Sequence, residues 1–71
     1  MPNSVYKVVE IVGSSPESWE KAAQTAVVAA SKSLRDLRIA EVEGLDMHID
    51  DKGKIIAYRA KMKLSFKYQA E

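Results

Sequence analysis

Side chains capable of covalent chemistry are scarce in this chain, which carries one histidine, His48, and no cysteine. Thiolate nucleophiles, thiolate-ligated zinc and disulfides are thereby excluded. To act as a general base, His48 would need a hydroxyl partner and an orienting group within hydrogen-bond reach. It stands near the tip of an expected hairpin, and the serines elsewhere form no nucleophile motif, so we assign no catalytic residue and no enzymatic activity. Gly13-Ser14-Ser15 could offer backbone amides to an anion, but three residues at a strand-to-helix junction read as a capped turn. Asp46, Asp50 and Asp51 are the densest group of oxygen donors, suited to a hard cation such as calcium, which takes roughly six to eight of them. Their spacing is not that of a helix-loop-helix calcium loop. Within one chain they read as a solvated hairpin tip, whereas a site assembled between chains would not need that spacing.

The row Arg59, Lys61, Lys63 and Lys67 has the charge for nucleic acid, but the aromatics of the same segment, Tyr58, Phe66 and Tyr68, alternate to the opposite face. Without a stacking platform among the charges, nucleic acid is not an expected partner. Glu41 and Glu43 account for the row better. If Asp50 pairs with Lys54 across the turn, Glu43 falls opposite Lys61 and Glu41 opposite Lys63, giving cross-strand ion pairs.

The elements that position these groups follow from periodicity. Val5 to Val12 is rich in β-branched residues and apolar on both faces, so it reads as a strand needing cover on both sides. Ser15-Pro16 is a helix start, with serine as cap and proline in the first helical position. Trp19, Ala22, Ala23, Ala26, Val27, Ala30, Leu34 and Leu37 then recur at spacings of three and four, drawing one apolar stripe along a helix from about Pro16 to Leu37. Two strands follow, about Ile39 to Ile49 and Lys54 to Tyr68, joined across Asp50-Asp51-Lys52-Gly53. The expected fold is α+β: a single β-α-β-β domain over residues 1–71, with a three-stranded antiparallel sheet wrapped around one long helix.

A chain of 71 residues buries only about 60% of the surface that its unfolded form exposes. Lacking disulfides, it needs another device, and self-association is the expected one. With 11 Lys and Arg against 10 Asp and Glu, no global field steers it to a polyanion or an anionic membrane. No apolar stretch approaches the roughly 20 residues of a membrane span, and Met1 to Tyr6 holds no basic segment leading into an apolar run. A cytoplasmic location, with no membrane partner, is the default expectation.

The opening Val5-Tyr6-Lys7-Val8-Val9-Glu10-Ile11-Val12-Gly13-Ser14-Ser15-Pro16, the later Ser33-Leu34-Arg35-Asp36-Leu37-Arg38 and the closing Leu64-Ser65-Phe66-Lys67 resemble the dodecins over nearly the whole chain. The resemblance implies a β-α-β-β subunit, twelve copies of which close into a hollow shell with cubic symmetry, so that the chief partner is the chain itself. It also implies non-enzymatic binding and storage of a small ligand. In flavin-binding members the flavins stack between tryptophans and are held by a glutamine. Here those positions are Ile39 and Arg59, and an aliphatic side chain gives up the stacking, worth about 1 kcal/mol per aromatic pair beyond area burial. The stretch from Ser15 to Ala23, with Asp46-Met47, Gly53-Lys54-Ile55 and Tyr58-Arg59, is similar instead to the calcium-dodecin branch. The expected ligand is therefore a divalent cation such as calcium, with Glu17, Asp46, Asp50 and Asp51 as candidate ligands. The alternative is a flavin such as riboflavin or FMN in a modified inter-subunit pocket lined by Ile39, Arg59 and His48. A purely structural shell is the third reading.

Overall fold

A computed structural model describes residues 3–69. The element order is β1 (Val5–Ser15), α1 (Trp19–Ser31), β2 (Leu37–Ile49) and β3 (Ile55–Gln69). All strands form one sheet in the order β1-β3-β2, with both pairings antiparallel. The expected β-α-β-β architecture is therefore the observed one, with β3 in the centre and two long edges.

The helix is shorter than its apolar periodicity suggests. Ser18, not Ser15, is the cap: its backbone is extended and its side chain accepts a hydrogen bond from the Lys21 amide at 3.0 Å. Ser15 instead accepts from the Glu17 amide at 3.0 Å, which folds Ser15-Pro16-Glu17 into a turn ahead of the helix. At the other end the Ser31 and Ser33 hydroxyls bond back to the Val28 and Ala30 carbonyls, and Asp36 adopts a left-handed backbone with φ 59°. That residue turns the chain into β2. Leu34 and Leu37 pack against the core from the loop and from β2, not from a helix.

The core is small. Ala22, Ala26 and Ala30 of α1 meet Ala60, Met62 and Leu64 of β3, with Val9, Ile11, Ala23 and Val27 around them. Alanines let the helix lie close. A Cβ built on Gly13 would overlap the Ala22 carbonyl oxygen and stand 2.9 Å from the Ala26 Cβ, so Gly13 is where the backbones of β1 and α1 touch.

The protomer is long, measuring 54 × 20 × 15 Å with a radius of gyration of 14.7 Å, against about 11 Å for a compact chain of this length. Its accessible surface is 5464 Å², whereas about 4,400 Å² is usual at this mass. No helix among the described residues is long and apolar enough to cross a membrane.

Candidate functional site

The register of the sheet decides which side chains share a face. On β3, Ala60, Met62 and Leu64 face the helix, so Arg59, Lys61, Lys63, Ser65 and Lys67 alternate to the outer face. Opposite them lie Ser14, Val12, Glu10, Val8 and Tyr6 of β1, and Asp46, Gly44, Glu41 and Ile39 of β2.

Asp46 and Arg59 form the best-defined polar contact on that face. The guanidinium donates from Nε to Oδ1 at 2.7 Å and from Nη2 to Oδ2 at 2.8 Å, and the Lys61 ammonium lies 3.6 Å from Oδ2. Bonding and charge from Arg59, then Lys61, hold the Asp46 carboxyl at about 2, well below its usual value, and the same carboxylate raises Arg59. The backbone carbonyl of Asp46 accepts a 3.0 Å bond from the indole N–H of Trp19. The Trp19 ring also meets Tyr58 edge to face, with centroids 5.0 Å apart. Trp19 thus ties the start of the helix to the stem of the hairpin.

The expected ion-pair register is half right. Glu41 does oppose Lys63, and the Asp50 amide donates to the Lys54 carbonyl at 2.9 Å. However, the pairing shifts between Val42 and Gly44, which puts Gly44 opposite Lys61 and leaves Glu43 as the extra residue of a bulge. Glu43 therefore pairs with Lys63, at 3.1 Å, and Lys61 pairs with Asp46. Glu43 foremost, with weaker help from Glu10 and Glu41, raises Lys63 above the usual lysine value.

The candidate cation ligands do not converge in one protomer. Asp46 is engaged by Arg59 and Lys61. Asp50 caps the hairpin turn, its Oδ1 accepting from the Lys52 and Lys54 amides at 2.9 Å each, which lowers its carboxyl. Asp51 is exposed in the turn, and Glu17 is exposed ahead of the helix. Among the described residues no group of three carboxylate or imidazole side chains is placed to hold a metal ion.

The candidate flat-ligand pocket is likewise not formed within one protomer. Ile39 opposes Ser65, and Arg59 lies six residues along β3, roughly 20 Å away at the strand rise. His48, opposite Ala57, is exposed and nearer the turn. The three share the outer face without meeting. What sequence reasoning missed lies on the other face. The helix sits over β1 and β3, leaving Val42 and Leu45 of β2 half exposed, at 50% and 53%. Together with Trp19, Glu20 and Ala23 they wall a groove of about 250 Å³. The interruption of alternation at Glu43 hides this pattern in the sequence.

Comparison with known proteins places this geometry. The dodecin family model matches residues 5–69. The calcium dodecin of Mycobacterium tuberculosis is 53% identical over 64 residues, 90% of this chain and 89% of the relative. The crystal structure of that species' calcium dodecin, described as calcium-chelating with a novel calcium-binding site, superposes with a TM-score of 0.81 at 50% identity, covering 96% of each chain. The dodecin of Streptomyces coelicolor matches with a TM-score of 0.89 at 35% identity, covering both chains fully.

Proposed function

The chain belongs to the dodecin family, and on that premise we propose that twelve copies close into a hollow shell that binds and stores divalent cations, calcium foremost, without catalysis. The observation that carries the reading is the 53% identity to a calcium dodecin across nine tenths of this chain. Two features support it. Ile39, exposed on the outer face, offers no aromatic ring for a flavin to stack on. The candidate donors Asp51 and Glu17 are exposed on the protomer, where donors of neighbouring copies can join them.

The test is the solution mass, elemental content and absorption spectrum of one purified sample, with thermal melts in calcium and in chelator. We expect a particle of about twelve chains with bound calcium, no visible absorbance, and a melting temperature that rises with calcium concentration, because a ligand of the folded assembly stabilises it by mass action. A flavin spectrum would replace the cation reading with the flavin one. A monomeric mass would overturn the shell.

A further inference from the structure

The four candidate cation donors are not equally free. Both carboxylate oxygens of Asp46 are taken, Oδ1 by Nε and Oδ2 by Nη2 of Arg59, with the Lys61 ammonium 3.6 Å from Oδ2. A divalent ion would have to displace two tethered cations there, so Asp46 does not fit the role of a ligand. Asp50 gives Oδ1 to two amides of its own turn. Glu17 and Asp51 are exposed and, among the described contacts, keep their carboxylates free. They stand on different elements, Glu17 just ahead of the helix and Asp51 in the turn of the hairpin. Their relative placement is set by whatever joins helix to hairpin.

Among the described residues one hydrogen bond does so, from the Trp19 indole N–H to the Asp46 carbonyl at 3.0 Å. Beside it lie the edge contact of Trp19 with Tyr58 and the alanine stripe of the core. Side chains as small as alanine fill space but interlock little, and interlocking is what selects a single arrangement. On the hairpin side, the bulge at Glu43 interrupts the pairing of β2 with β3, and a bulge bends the strand that carries it. Asp46 and Arg59 face each other directly beyond it, and their two-pronged bond fixes how the hairpin leaves the bulge. We infer that Trp19, Asp46 and Arg59 form a clasp that holds the free donors Glu17 and Asp51 in place for the cation, with Asp46 a positioning residue and not a ligand. This inference rests on the cation binding proposed above.

The two roles give opposite signs. Were Asp46 a ligand held back by Arg59, Arg59→Gln would free it and tighten calcium binding; as a break in the clasp, the same change loosens it. The test is calorimetric titration of the purified protein with calcium, together with terbium luminescence lifetimes in water and heavy water, which count the waters left on the bound ion. Arg59→Gln, Asp46→Asn and Trp19→Phe should each raise the calcium Kd about tenfold, as loss of groups that orient ligands does, with ions per chain and waters on terbium unchanged. Tighter binding by Arg59→Gln overturns the inference, as does a Kd unchanged in any of the three. So does roughly one more water on terbium in Asp46→Asn, the mark of a lost ligand. Should a charge variant fail to fold, Trp19→Phe decides by its Kd, because it keeps a ring beside Tyr58 and removes the N–H donor. A wild type that binds neither ion overturns the cation reading and the role of the clasp with it, whereas a wild type that binds while the variants fail to weaken overturns the clasp alone.

Discussion

Asp46 joins two parts of the fold through different atoms: its carboxylate grips Arg59, and its carbonyl takes the Trp19 indole. The carboxyl is lowered from 3.8 to about 2, so its folded form releases the proton more readily than the unfolded one. Stability from this group is therefore fully present above the unfolded value and is lost as pH falls through about 2. We expect Asp46→Asn to melt below the wild type at pH 7 and the two curves to approach each other between pH 4 and 2. Paired thermal melts across that range check it, and a constant gap down to pH 2 would assign the loss to something other than charge. The same pair bears on calcium. An ion drawing on Asp46 must compete with a bidentate guanidinium already in place, whereas Asp51 carries no such partner among the described contacts.

At the level of elements, spacing between helix and sheet is set where Gly13 passes under Ala22. Gly13→Ala should lower stability by about 3 kcal/mol, the upper end for overpacking, because the obstacle is backbone that cannot rotate away. Gly44→Ala, where an added Cβ meets nothing within 4 Å, should stay within about 0.5 kcal/mol. Urea denaturation of both variants tests the contrast, and equal losses would refute it. The strands, the hairpin and the order of elements were legible in the sequence because the alternation over Tyr58 to Leu64 is uninterrupted and the turn residues are explicit. The ends of the helix were less so. Leu34 and Leu37 continue a helical period while belonging to other elements, and two serines compete for the cap that Ser18 takes. The bulge at Glu43 carries no glycine or proline to mark it, so neither expected outer-face ion pair forms as drawn: Glu41 keeps its register opposite Lys63, but Lys63 pairs with Glu43 and Lys61 with Asp46. Ile39 and Arg59 could be singled out from the chain, yet not their separation, and sites completed by another copy leave no periodic trace in one chain.

For the whole molecule, the balance of apolar surface matters more than any single contact. Leu64 is the large side chain that is fully buried among the described residues, while Val8, Val12, Ile39 and Ile49 are each more than half exposed. A protomer built in this way draws much of its stability from association. The melting temperature should accordingly climb with protein concentration over a dilution series, as for any assembly whose subunits are poorly stable alone. A value independent of concentration over a hundredfold range would mean that one copy suffices. The thin alanine core has one more consequence, which concerns biosynthesis. A newly made chain holds its apolar residues in water until it meets others, exposed to aggregation and proteolysis in the interval. The rate at which copies find one another, set by how fast they are produced, then governs how much protein survives, so yield should rise more steeply than expression as synthesis is increased.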